Sequence, residues 1–257
     1  MRLGELWEFR ELLYFLIWRE VRVRYKQTVL GIGWAIVQPF MTMVVFSVFF
    51  GRLGRIPTDG IPYPVFTFCA LLPWQLFAFS LIESSNSVVA NQRLLTKVYF
   101  PKLLLPLASV AVGLVDFSVS FVVLLAVMAY YGMTPGILAF TVPLWALFAV
   151  TTAVAASLWL SALNVRYRDI RYTLPFLTQL WLFSTPVAYP TSMVPEAWRP
   201  LYALNPMVGV VDGFRWALVG GAWPQTTIVV SGLVVLVTLV GGLFYFRRTE
   251  RTFADLV

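Results

Sequence analysis

Side chains able to do chemistry are few in this chain of 257 residues, and they are far apart. The carboxylates within or beside apolar stretches are Glu83, Asp116, Asp169 and Asp212. Acid–base or metal-assisted catalysis needs such groups to converge on one centre, whereas these fall at different depths and on different sides once the apolar runs below are taken as membrane spans. Histidine is absent, which removes the commonest general base and metal ligand. The one cysteine, Cys69, lies in an apolar run, so neither an intrachain disulfide nor a thiolate cluster is available. No Gly-x-x-x-x-Gly-Lys-Ser/Thr phosphate loop occurs, and no cytoplasmic segment is large enough for a nucleotide-binding domain. The expectation is a non-catalytic chain that binds no metal or cofactor itself, with any ATP and Mg held by a partner subunit. A membrane-embedded transferase is the alternative from another class, and it would need its acids clustered at one interface.

The elements that position these residues follow from composition. Hydrophobic residues make up 60% of the chain and charged residues 12%, with a mean hydropathy of +0.80, against roughly 25% charged residues in soluble domains. A hydrocarbon core of roughly 30 Å needs about 20 apolar residues in helix. Uncharged runs place six such helices at about 30–51, 62–84, 103–131, 137–163, 172–190 and 225–246. Gln38-Pro39 should kink the first. The turn Gly132 to Gly136 separates the third from the fourth. The first run begins near Leu30 behind a charged segment without a small-residue cleavage site, so a retained N-terminus is expected.

The net charge of +7 reads as a topology signal rather than a nucleic-acid patch. With the N-terminus inside, Arg2, Arg10, Arg19, Arg22, Arg24, Lys26, Arg93, Lys97, Lys102, Arg166, Arg168, Arg171, Arg247, Arg248 and Arg251 are all cytoplasmic. Only Arg52, Arg55, Arg199 and Arg215 fall outside. Basic loops resist translocation, so both termini are expected in the cytoplasm.

Three segments neither span nor simply connect. In residues 1–29, Leu6, Phe9, Leu13 and Leu16/Ile17 recur at helical spacing, with Glu8, Glu11, Arg19, Arg22 and Lys26 on the other side. This predicts a helix lying in the interface, either anchoring on lipid phosphates or contacting a partner or a substrate head group. Residues 86–102 mix apolar positions with Arg93, Lys97 and Lys102 and are broken by Pro101. A docking or gating segment with a short helix fits that length better than a bare loop does. Residues 191–224 are apolar but carry Pro195, Pro200, Pro206 and Pro224 with Glu196, Arg199, Asp212 and Arg215. A re-entrant pair of short helices about Asn205-Pro206 satisfies such backbone at membrane depth, a plain loop being the other choice. Asp212 and Arg215, three apart, are expected to pair on one helix face.

Asp116 should lie roughly 15–20 Å deep by helical rise. It is either functional or hydrogen-bonded by Ser109, Ser118 and Ser120. Glu83 sits near the inner end of its span. Aromatic residues reach 16% of the chain. Many, including Tyr63, Trp74, Tyr189, Trp198, Tyr202 and Trp223, fit interfacial belts, while Trp34, Phe40, Trp181 and Phe183 within spans could instead stack on passing sugars.

Motifs spread over the chain carry a resemblance. They are Tyr25-Lys26-Gln27-Thr28-Val29-Leu30-Gly31-Ile32-Gly33-Trp34-Ala35 through Gln38-Pro39, Leu71-Leu72-Pro73-Trp74, and Lys97-Val98-Tyr99-Phe100-Pro101-Lys102. Further along come Asn164-Val165-Arg166-Tyr167-Arg168-Asp169-Ile170, Thr185-Pro186-Val187-Ala188-Tyr189-Pro190, and Asn205-Pro206 followed by Gly213-Phe214-Arg215. In this order they resemble type-2 ABC exporter permeases for O-antigen, capsule or teichoic-acid polymers. That resemblance implies a homodimer in the bacterial cytoplasmic (inner) membrane, paired with two ATP-binding cassette subunits and exporting an undecaprenyl-diphosphate-linked polysaccharide or a polyol-phosphate polymer. It implies a gate and coupling segment at Asn91, Arg93, Lys97, Tyr99 and Lys102, with the basic residues binding the lipid diphosphate or docking the ATPase. It further implies that the N-terminal helix abuts the ATPase and that the first and fifth spans line the path with the outer hairpin. Trp34, Phe40, Trp181, Phe183 and Tyr189 are the path candidates. An exporter of a small lipid or drug would share the architecture and is the nearer alternative.

Overall fold

The structure, a computed structural model, describes residues 7–26, 31–95, 97–250 and 253. Among the described residues every regular element is helical. In chain order these are α1 (Arg10–Lys26), α2 (Trp34–Phe46), α3 (Tyr63–Ala90), α4 (Gln92–Leu95) and α5 (Leu104–Tyr130). They continue as α6 (Val142–Arg166), α7 (Ile170–Phe183), α8 (Arg199–Tyr202), α9 (Pro206–Val219) and α10 (Gln225–Glu250). A π-helical stretch, Ser47–Leu53, prolongs α2, and a 3-10 turn, Ile137–Thr141, leads into α6.

Helix starts follow local chemistry. Prolines occupy the first turn of α3, α6, α8 and α9, where the missing N–H would have no intrahelical partner in any case. α9 ends on Gly220, whose φ of +73° is costly for a side chain bearing Cβ. Pro39 lies inside α2 without ending it.

Five helices are long and apolar enough to cross a membrane: Trp34–Leu53, Tyr63–Ala90, Leu104–Tyr130, Ile137–Arg166 and Thr227–Glu250. The segment expected as a further span at 172–190 is different. Its helix stops at Phe183 after 14 residues, about 21 Å at 1.5 Å per residue, which is short of the roughly 30 Å hydrocarbon core. Pro186 explains the stop, because it has no N–H for the Leu182 carbonyl and disfavours helical φ/ψ at Thr185. Thr185 N–H turns to the Leu182 carbonyl at 3.2 Å and its hydroxyl to the Trp181 carbonyl at 2.9 Å.

α3 is the central post, packed by α2, α5, α6, α7 and α9. Its apolar window is 78% buried, against 17% for the α2 and α10 spans. Polarity does not separate these helices, since the bilayer is as apolar as leucine; close packing does. Glycines mark the closest approaches: a Cβ on Gly213 would lie 2.2 Å from the Trp145 ring. A second apolar cluster joins Leu16 of α1 to Val88, Leu95, Phe100, Leu103, Ala162, Phe246 and Phe253. It gathers α1, the α4 segment and the end of α10 at one end of the bundle.

Candidate functional site

The segment expected to lie in the interface is helical over α1 and packs on the bundle. Leu16 is buried, with Phe9, Leu12, Leu13 and Ile17 partly covered against the second cluster. The opposite face exposes Trp7, Tyr14, Phe15 and Trp18. Arg10 lies over Trp7 at 5.0 Å and Arg22 over Trp18 at 4.4 Å, a mixture of aromatic rings and cations suited to a head-group layer.

Asp116 of α5 is met by the end of α1. Arg24 Nη2 pairs with its Oδ2 at 2.8 Å, and the Tyr25 hydroxyl donates to its Oδ1. The guanidinium also lies 4.3 Å above the Phe79 ring of α3. The three serines expected around Asp116 are engaged elsewhere: Ser109 donates to Glu20 and the Leu105 carbonyl, Ser118 to the Leu114 carbonyl, and Ser120 to the Ala35 carbonyl of α2. A cavity of about 460 Å³ opens beside the pair, lined among others by Trp34, Gln38, Gln75, Phe79 and Ser120. A second of about 420 Å³ holds Arg19, Glu20, Glu83 and Asn91. In it, burial pushes the Glu20 carboxyl above its ordinary value of 4.5, against the opposing Ser109 hydrogen bond and the Arg19 charge, and Glu83 adds to the rise.

The segment 86–102 begins as a continuation of α3, which runs unbroken to Ala90. Asn91 ends it, donating from Nδ2 to the Ser87 carbonyl at 2.9 Å and accepting Arg19 Nη2 on Oδ1 at 2.7 Å. The short helix expected here is the single turn α4. Beyond it Lys97, Val98 and Tyr99 are exposed, Tyr99 at 93%, between the buried Leu95 and Phe100. Arg93 is exposed as well. Lys102 faces inward: its N–H donates to Glu250 Oε1 at 3.0 Å and its Nζ to the Glu250 carbonyl at 2.6 Å. In the other loop of this end, Asn164 is buried and donates to the Ser85 carbonyl and Asn86 Oδ1, so it locks α6 to α3. Arg166, Arg168 and Asp169 are exposed.

The path candidates divide. Trp34, Phe40 and Phe183 are exposed on α2 and α7. Trp181 is drawn inward, edge-on to Phe77 at 4.9 Å and donating to Asn205 Oδ1 at 2.9 Å. The Tyr189 and Tyr202 hydroxyls meet at 2.9 Å. Asn205 is the organising residue of the far end: Oδ1 also caps α9 through Met207 N–H at 3.1 Å, and Nδ2 donates to the Ser184 carbonyl and Thr185 hydroxyl. Pro206 follows as the first residue of α9.

Asp212 and Arg215 do not form the ion pair expected of them. Asp212 accepts both of its bonds from the Thr191 hydroxyl, at 2.8 and 2.9 Å. Arg215 is buried, reaching the Val187 carbonyl at 3.0 Å with its guanidinium 3.6 Å over the Phe66 ring. The break after α7 explains this, since it leaves carbonyls at 187 and 189 without helical partners, and Arg215 fills that vacancy. The contacts of Arg24, Tyr25, Thr191 and Glu250 were missed by sequence reasoning; Arg24 was read only as a cytoplasmic charge and Tyr25 only as the start of a motif, and the partner of Lys102 lies 148 residues away.

Residues 11–219 match the ABC-2 type transporter family. The chain is 32% identical over 252 residues to the O-antigen export system permease protein RfbA of Myxococcus xanthus, covering 96% of each chain. It is 27% identical to the protein of that name from Klebsiella pneumoniae, over 96% of this chain and 95% of the other. With the polysialic acid transport protein KpsM of Escherichia coli it shares 23% identity over 91% and 92% of the two chains. A helical bundle with five span-length helices, a docked amphipathic helix and a family match over most of its length place this chain in the ABC-2 type transporter membrane family, as a transport permease.

Proposed function

We propose that this permease exports a lipid-linked polysaccharide, working as a homodimer with two ATP-binding subunits in the bacterial inner membrane, both termini cytoplasmic. The observation that carries the reading is near-full-length similarity to permeases named for O-antigen export. In this reading α7 and the irregular residues 184–190 together make a sixth crossing, and α8 with α9 forms a re-entrant hairpin at the outer face, as Asn205 and Arg215 satisfy the backbone there. Exposed rings on α2 and α7, Trp34, Phe40, Phe176 and Phe183, face a second copy across a path along which a polymer slides. Arg93, Lys97, Val98 and Tyr99 present charge and an aromatic knob to the ATPase. The carrier is an undecaprenyl diphosphate, drawn by Arg and Lys at the α1 end.

Deletion of the coding sequence tests this. Lipid-linked polymer should accumulate inside the cell and vanish from its surface, and the permease should co-purify with a cassette ATPase. Normal surface polymer in the deletion strain would overturn the reading, and accumulation of a small lipid instead would favour the other exporter class.

A further inference from the structure

At the end of the bundle opposite α1, a cavity of about 790 Å³ lies between the segment 190–203, α9 and the start of α10. Its size falls in the roughly 300–1,000 Å³ range of small-molecule sites. The path rings on α2 and α7 take no part in it. Its lining is chemically mixed: the carboxylates Asp59, Glu196 and Asp212 stand with the guanidinium groups Arg199 and Arg215 and the Trp223 ring. Trp223 is 52% exposed, packed on one side against Trp216 with ring centres 4.5 Å apart. Gly220 and Gly221 leave the backbone beside it open. Arg215 Nε is buried in the wall without a hydrogen-bond partner.

This set discriminates between ligands. An acyl chain would desolvate the exposed Asp59, Glu196 and Arg199 without compensation. A free anion would meet three carboxylates against two guanidinium groups that are already engaged, Arg215 with the Val187 and Tyr189 carbonyls and Arg199 with Glu196 at 3.6 Å and the Val194 and Ser192 carbonyls. A divalent cation needs converging acids, and among the described residues no three of them come together as a metal site. A neutral ring bearing several hydroxyls fits better: the carboxylates accept from its hydroxyls, the unpartnered Arg215 Nε–H is left to donate to one, and its C–H face lies on indole. We propose that this cavity is a binding site for neutral sugar units, separate from the rings along α2 and α7. For its source of sugar the proposal rests on the export reading, where it would hold the emerging chain and oppose backsliding.

The full-length permease in lipid nanodiscs would be titrated with trisaccharides of glucose, mannose, galactose and N-acetylglucosamine, followed by indole fluorescence and saturation-transfer NMR. At least one should bind saturably, without competition from inorganic phosphate or Mg²⁺. Trp223→Ala and Asp212→Asn should each weaken it roughly tenfold, about 1.4 kcal/mol. Ala222→Trp, which fills the mouth from an exposed position without removing a polar group, should abolish it. No saturable binding, competition by phosphate, or full binding by Ala222→Trp would overturn the proposal. Surface polymer in a deletion strain decides the export reading independently: intact export without sugar binding sinks only this site, and sugar binding by a chain whose loss leaves export unchanged sinks only the other.

Discussion

Asp116 shows how a costly side chain is made tolerable. Its partners come from a helix 91 and 92 residues earlier in the chain, so the price of one carboxylate near the membrane interior is a fixed position for α1. The pair is partly exposed, 38% and 20% for the two side chains, so it belongs between the surface and buried limits. Asp116→Asn should lower stability by on the order of 1–2 kcal/mol, read as detergent-solubilised melting temperature. Arg24→Gln added to it should cost little more in a double-mutant cycle. Asn205→Ala removes a helix cap together with bonds to Trp181, Ser184 and Thr185 and should cost roughly 1–3 kcal/mol. Glu20 adds a pH dependence of definite sign. A carboxyl whose folded pKa is raised releases its proton later when folded than when unfolded, so stability falls as pH climbs from about 4.5 through the raised value. Glu20→Gln should flatten that part of the profile in pH-dependent melting.

Elements were legible in proportion to how far local chemistry governs them. The apolar runs announced the five long helices, because length and hydropathy decide those. The amphipathic helix was legible too, since Phe9, Leu13 and Leu16 repeat at helical spacing. The helix at 170–183 was not, for the uncharged run continues to Pro195 while Pro186 ends the helix inside it. Asp212 and Arg215 misled for a related reason: helical spacing puts them near one another, but the carbonyls exposed by that break compete for the arginine. At this scale Gly213 offers a test. With Trp145 2.2 Å from any added Cβ, Gly213→Ala should separate α9 from α6 and cost about 1–3 kcal/mol. Trp145→Phe, by shrinking the ring, should recover part of the loss in melting temperature.

For the molecule as a whole, the basic residues gather toward two ends of the bundle, and which end is cytoplasmic is open to test. Arg19, Arg24, Arg93, Lys97, Lys102 and Arg166 belong to elements at the α1 end, and Arg199 and Arg215 to the far end. Single cysteines introduced at position 168 and at position 198 of a Cys69→Ser background should be labelled from opposite sides of the membrane by an impermeant maleimide. Labelling of both from the same side would overturn the two-sided arrangement, and labelling of position 168 from outside would invert the assignment of inner and outer surfaces. Which side chains meet across the bundle was beyond sequence reasoning, because pairs such as Lys102 with Glu250 or Asn164 with Ser85 depend on tertiary packing with no local signature.

The bond between Lys102 and Glu250 also bears on how the protein is made. Synthesis runs from the N-terminus at about 5–20 residues per second, so the segment holding Tyr99 and Lys102 exists for many seconds before its tether is translated. During that interval the lysine has no Glu250 to hold, and Phe253 has not yet covered the apolar cluster beneath it. A chain halted before residue 250 would therefore leave the segment from Tyr99 to Lys102 untethered, whatever the state of its first five helices. If the proposed ATPase docks there, docking of the last helix and competence to engage it become a single event, and ribosome-stalled intermediates should bind the ATPase only once that helix has emerged and docked.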